Sequence, residues 1–189
     1  MAYATLAELK TYLSISGNGD DALLAALLVR AQAIIDAHCR RTFEAASDTT
    51  RYFDAEDDID VDDLVVDTDL YSVTSVTNGD GTAIASTEYV LEPTNHRPAY
   101  AICLKDTSSV VWTWSDHHEN AISVTGRWAY SLTAPADITH ACIRLAAWLY
   151  RQKDTSVEVD AVSVTSGGAV ITPSGLPTDV TLLLRTYVR

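Results

Sequence analysis

Carboxylates are the residues of this chain whose number and crowding most suggest chemistry. Nine of them stand between positions 54 and 69: Asp54, Glu56, Asp57, Asp58, Asp60, Asp62, Asp63, Asp67 and Asp69. Hard cations bind clustered oxygens, so calcium is the sharpest use such a run could have. The spacing is not that of a calcium-binding loop, which needs a glycine at its sixth position and a glutamate closing the register. A solvated acidic loop is the expectation. The tandem His117-His118-Glu119 invites a metal reading as well. Neighbours on an extended chain point to opposite faces, so two adjacent histidines seldom hold one ion, and a polar turn is expected.

Trp112, Trp114 and Trp128 are spaced like alternating strand residues. They would suit a core or an interface, or a stacking platform for a sugar. Cys39, Cys103 and Cys142 are far apart and form no CxxC. That pattern predicts reduced thiols in a cytoplasm-like compartment. Cys39 and Cys142 fall on helical patterns and read as small buried residues. No GxGxxG, Walker A, GxSxG or HExxH is present, and no acid–base pair can be named from spacing. The expectation is a protein that is not an enzyme and needs no cofactor. Two other classes remain open. One is a β-rich ligand-binding module using the tryptophans. The other is a small hydrolase or metal enzyme using Asp57, Asp58, His117 and His118.

Apart from Cys39 and Cys142, these residues lie between the helical patterns that occupy the two ends of the chain. Residues 20–43 show Leu23, Leu24, Leu27, Leu28, Ala31, Ile34 and Ile35 at steps of one, three or four, one apolar stripe on a 3.6-residue period. Asp20 and Asp21 follow Gly17-Asn18-Gly19 and are expected to cap the helix, with Arg40 and Arg41 at its far end. Ahead of it, Thr5 and Glu8 have capping-box spacing and open a short helix to Leu13, with Leu6, Leu9, Tyr12 and Leu13 as its apolar face. A DNA-reading second helix would carry bases, yet only Arg30 stands between Asp20 and Gln32. Pro135 introduces a third helix over 137–153, with Ile138, Cys142, Leu145, Ala146, Leu149 and Tyr150 as its stripe. It matches the long helix and is its expected partner. His140 on this helix reads as a flank residue.

The middle is β-rich. Strands are expected at 50–53, 71–76, 88–91, 100–104, 110–114 and 121–128, with Asn78-Gly79-Asp80-Gly81 as a hairpin turn and Pro93 and Pro98 in a loop. An antiparallel sheet or small barrel follows. Residues 155–174, rich in Ser, Thr, Val and Gly, read as an extended connector. A last short helix starts at Leu176-Pro177-Thr178-Asp179. The fold class is therefore α+β. A small bundle of amphipathic helices, the N-terminal pair plus the late helix, forms a core of 1–43 and 134–154. An antiparallel β-rich sub-domain is inserted at 44–133. Residues 155–189 form an arm and tail with the short helix.

Hydrophobic content of 47% allows a real core in 189 residues. Net charge is −13, which does not grip nucleic acid through counterion release but can surround DNA without holding it. No apolar run is judged long enough for a membrane span, and the first residues lack the character of a signal peptide.

Three pieces of sequence, in order, resemble the head–tail connector (adaptor, or head-completion) proteins of tailed bacteriophages. The first is Tyr3-Ala4-Thr5-Leu6-Ala7-Glu8-Leu9-Lys10-Thr11-Tyr12-Leu13 followed by Asp20-Asp21-Ala22-Leu23-Leu24. The second is Ile34-Ile35-Asp36-Ala37-His38-Cys39-Arg40-Arg41-Thr42-Phe43. The third is Pro135-Ala136-Asp137-Ile138, with Leu176-Pro177-Thr178-Asp179-Val180 after it. The resemblance implies a structural virion protein of the neck, assembled from the host cytoplasm as a ring of about a dozen copies closed by rotation. Such a ring sits beneath the portal protein, extends the DNA channel and meets a stopper or tail-completion protein. Because the C-terminal segment commonly reaches the portal, Val180, Leu183, Leu184, Arg185, Tyr187 and Arg189 are portal-contact candidates. Asp57, Asp58 and Asp60 are candidates for charge along the channel, where repeated negative potential lets DNA slide. On this reading, deleting 175–189 leaves a folded chain that no longer joins filled heads.

If the acidic run is solvated rather than a calcium site, chelator leaves the melting temperature unchanged. A drop in the melting temperature on adding EDTA would assign it a structural cation.

Overall fold

The computed structural model describes residues 3–152, 163–164, 170–171 and 175–189. It is an α+β fold in two compact units. The helical unit comprises Met1–Arg40 with Pro135–Arg189, and the β unit is Arg41–Ala134. Most of the proposed arm, 155–174, lies outside the described residues. Within it, β9 (Ser163–Val164) and β10 (Val170–Ile171) pair antiparallel.

The helical unit begins with α1 (Leu6–Leu13), opened by the capping box that its sequence spells. Glu8 N donates to Thr5 Oγ1 at 3.2 Å, and Thr5 N donates to Glu8 Oε2 at 2.7 Å. Helix α2 (Asp21–Cys39) is shorter than expected, because Arg40 adopts a left-handed φ of 55° and turns the chain. Asp20 makes no side-chain cap; its carboxylate instead accepts a hydrogen bond from the Tyr150 hydroxyl of α3 (Ala136–Gln152). Lys10 does part of the work at this end, pairing with Asp21 at 2.7 Å. Tyr3 donates to Asp36 at 2.5 Å, and burial pushes that carboxyl above the usual range despite the bond.

Helix α2 packs along α3, and α4 (Thr178–Leu184) closes on both. The buried side of α2 is Leu24, Leu28, Ala31, Ile35 and Cys39, at steps of four, three, four and four. It meets Ile138, Ala141, Cys142, Leu145 and Ala146 in the same core. Of the stripe read from sequence, Leu24, Leu28, Ala31 and Ile35 are buried, while Leu27 and Ile34 are half-buried. Leu23 is a correction: it is 39% exposed, because one step from Leu24 is a 100° turn off the buried direction. A second correction concerns membranes. Asp21–Cys39 is long and apolar enough to cross one by length and composition, with mean hydropathy 1.5. With one face buried, the helix is apolar on its other face too, through Ala22, Ala26, Val29 and Ala33.

The β unit holds two antiparallel four-stranded sheets. The first has order β1-β8-β4-β5, from β1 (Thr49–Phe53), β8 (Ile122–Arg127), β4 (Ser72–Thr77) and β5 (Ala83–Ile84). The second has order β2-β3-β7-β6, from β2 (Ile59–Asp60), β3 (Asp63–Leu70), β7 (Ala99–Leu104) and β6 (Tyr89–Glu92). Alternate residues such as Leu64, Val66, Ile102, Ile122 and Val124 share one core. Strand β3 corrects the acidic-loop expectation, since Asp63, Asp67 and Asp69 are strand residues between buried apolar ones. Asp69 is itself buried and lies 3.6 Å from Arg41. Residues 110–114 form no strand beyond a bridge from Trp114 to Gly79. The Asn78 side chain takes their backbone instead, donating to Val111 O at 2.8 Å and accepting from Thr113 N at 3.1 Å. Gly79 permits this, because a Cβ there would lie 2.5 Å from Thr113 O. The two ends of the insert run together: Tyr130 N donates to Thr42 O at 2.9 Å, and Ser131 Oγ to Phe43 O at 3.0 Å.

Leu28→Ala is expected to cost about 2–5 kcal/mol in urea denaturation, the range for a cavity in a packed core. Leu23→Ala should stay within about 0.5 kcal/mol, as exposed substitutions do.

Candidate functional site

Charge is divided unequally between the two units. The β unit carries seventeen acidic residues against five basic ones, whereas the helical unit carries nine against eight. Nearly all of the net −13 therefore belongs to the β unit. Any function of acidity is a function of that unit's surface.

The acidic turn between β1 and β2 is built by its own carboxylates. Asp54 Oδ1 accepts from Glu56 N at 2.8 Å and Asp57 N at 3.0 Å, and Asp58 Oδ2 accepts from Asp54 N at 2.8 Å. His118 closes the turn from the loop before β8. Its Nδ1 lies 2.8 Å from Asp54 Oδ1, its Nε2 3.8 Å from Glu56 and from Glu119, and its carbonyl accepts from Ala55 N at 2.9 Å. Hydrogen bonds from the Asp57 backbone and from His118 hold the Asp54 carboxyl below the usual carboxylate range. The hydrogen bond to Asp54 raises the His118 imidazole above its ordinary value, against some desolvation. Of the channel-charge candidates, Asp57 is exposed, Asp60 is exposed on β2, and Asp58 is half-buried because it is spent on the turn.

Beyond this turn an open groove of 440 Å³ is lined by Asp60, Asp62, Asp63, Glu92 and Asp106. Cys103 sits among them. Burial, with Asp63 adding to it, pushes its thiol up to about 12, far from a nucleophile. Cys142 is likewise pushed up to about 12 by burial, its Sγ lying 3.8 Å from Leu28 O.

The tryptophans do not share a face. Trp128 is buried against Phe53, ring centroids 5.6 Å apart, under the Arg51 guanidinium, with its Nε1 donating to Thr49 O. Trp112 is half-buried and donates to Asp62 O at 2.8 Å, while the more exposed Trp114 meets the His118 ring edge-on. The stacking platform is thereby corrected. The hydrolase grouping is corrected as well: His118 partners Asp54 rather than Asp57 or Asp58, and His117 turns to Glu119. Among the described residues no group of three His, Cys, Asp or Glu is placed to hold a metal ion.

The tail candidates divide by burial. Val180 and Leu184 are buried within the helical unit, where the Leu184 carbonyl faces Cys39 Sγ, so they are corrected from contact residues to core. Arg144 pairs with Asp179 at 2.8 Å and pins the start of α4. Leu183 is half-buried, as is Tyr187, whose hydroxyl lies 3.5 Å from Asp137. Arg185 and Arg189 are exposed, the Arg189 backbone bonding to Cys39 O at 3.1 Å. Two residues that the spacing argument missed, Leu182 at 63% and Val188 at 48%, are the exposed apolar ones. They lay off the docking stripe, and only the buried side of α4 reveals them.

No protein-family profile matches this chain, and no curated protein matches it. Solved structures do. A chain in the neck of an empty GTA particle computed with C6 symmetry aligns at TM-score 0.59 and 15% identity, over 98% of this chain and 89% of that one. A chain in the virion of a native gene transfer agent particle aligns at 0.61 and 18%, over 98% and 89%. A chain in the neck of a native GTA particle computed with C12 symmetry aligns at 0.59 and 17%, over 97% and 87%. At such identities the likeness establishes a shared fold across nearly the whole chain.

A pKa raised in the fold means His118 stabilises the turn fully below the ordinary histidine value of about 6.5 and loses that contribution as pH rises through the raised value. An NMR titration should place His118 above ordinary histidine, and Asp54→Asn should bring it back down. An unshifted His118 in the parent chain would rule out the His118–Asp54 contact.

Proposed function

We propose that this chain is a structural protein of a phage-type virion neck, forming a ring between portal and stopper or tail through which DNA passes. The observation that carries this reading is the fold shared over 97–98% of the chain with chains from neck and virion assemblies. The chemistry on the page is compatible with it. Described residues bring no nucleophile, base and acid together, and the three described thiols are buried. The β unit repeats seventeen acids in every copy. Around a ring, that potential repels the DNA backbone, so the duplex is confined without being bound.

Asp57 and Asp60, together with the groove of Asp62, Asp63, Glu92 and Asp106, are the charges assigned to the channel side. The portal contact is assigned to the exposed edge of the tail, Leu182, Arg185, Val188 and Arg189. Deleting 175–189 is no longer a clean test, because it also removes Val180 and Leu184 from the core.

The test is copurification of the full chain with a portal ring from the same particle. The parent chain should comigrate with the ring. Leu182→Glu combined with Val188→Glu should lose capture while melting within a few degrees of the parent. A parent chain that fails to associate with portal, alone or in filled heads, overturns the adaptor role.

A further inference from the structure

The outer face of α2 is apolar, and nothing in this chain's own described residues covers it. Ala22, Ala26, Val29, Ala33 and Ala37 recur at steps of four, three, four and four, all exposed, with Val29 at 62%. Ala25 and Leu23 flank them and are exposed too. Arg30 is the single charge on the exposed side between Ala22 and Ala33. The flanking acids are half-buried and engaged, Asp21 by Lys10 and Asp36 by Tyr3. A helix at the surface of a solitary soluble domain carries polar residues there. Alanine is a strong helix former, but propensity alone does not call for an exposed valine and leucine beside it.

We infer that this face of α2 is the contact between neighbouring copies, packed against the helical unit of the next copy. The inference rests on the ring reading above and names its surface. Charge selects the occupant. Two chains of −13 can approach without strong repulsion only where acids and bases balance, and the helical unit, with nine against eight, is that place. Nucleic acid would find one arginine on the face. Spanning a bilayer would need the whole circumference of the helix, yet Leu24, Leu28, Ala31 and Ile35 are committed to the protein core. Small residues let two helix axes approach toward the lower end of the usual 8–10 Å.

Area sets the strength. Nineteen residues span about 28 Å, and a strip about 10 Å wide covers roughly 280 Å² per copy. Stable complexes bury about 800 Å² per partner. The contact is therefore weak between two copies and persists when a ring gives each copy two neighbours.

Sedimentation equilibrium of the full chain from about 10 μM to about 1 mM tests this, that range bracketing weak association. The parent's average mass should rise with concentration. Val29→Glu and Ala26→Glu, each at an exposed site, should weaken association by about tenfold or more at an unchanged melting temperature. If one variant is destabilised, the other carries the test. A parent that stays monomeric to the top concentration, or variants that associate like the parent, overturns the assignment. So does parent binding to phosphatidylcholine vesicles that both variants lose, since the face would then belong to lipid. Portal capture by the parent separates the two readings. Capture without α2-dependent association removes only this contact, and α2-dependent association without capture removes only the adaptor role.

Discussion

Burial of one side of α2 against α3 is the constraint on which the rest of the helical unit depends. Leu24, Leu28, Ala31 and Ile35 are removed from water only because Ile138, Cys142 and Leu145 cover them from more than a hundred residues downstream. The tail joins the same core through Val180 and Leu184. Polar groups at its margins are tied down rather than lost. Tyr150 holds Asp20, Tyr3 holds Asp36, and Lys10 holds Asp21. Two buried thiols, Cys39 and Cys142, face backbone carbonyls.

The β unit solves a different problem, which is to fold while carrying seventeen acids. Carboxylates gather at turns, at strand ends and on outward strand positions, where water screens them over about 8 Å at physiological salt. Two that are withdrawn from water have partners: Asp54 has His118 and backbone N–H groups, and Asp69 has Arg41. Asn78 shows the same economy with a neutral group. One buried amide satisfies two backbone groups of the 110–114 segment that no neighbouring strand reaches.

A division of labour follows. The nearly neutral unit supplies surfaces that can be buried against other protein, and the acidic unit supplies a surface that cannot hold a polyanion. The proposed ring around DNA would draw on both surfaces. The thiols and Trp128, each a conceivable site in isolation, are buried in the packing of their units.

How much of this was legible in the amino-acid order depends on range. The capping box at Thr5, the helix periods, the Asn-Gly turn and most strands are local events, decided by residues within a few positions of one another, so they could be read directly. The fold class followed from these local elements, and the α+β architecture agrees with it. What tertiary structure alone decided were partners distant in sequence. Asp20 capped nothing because Tyr150 claimed it. The acidic run became part of a strand because β7 offered a ladder to Leu64 and Val65. His118 found Asp54 across 64 positions. Leu23, Val180 and Leu184 changed roles because a 3.6-residue period says which residues share a face, but only the packed neighbours say which face is inside.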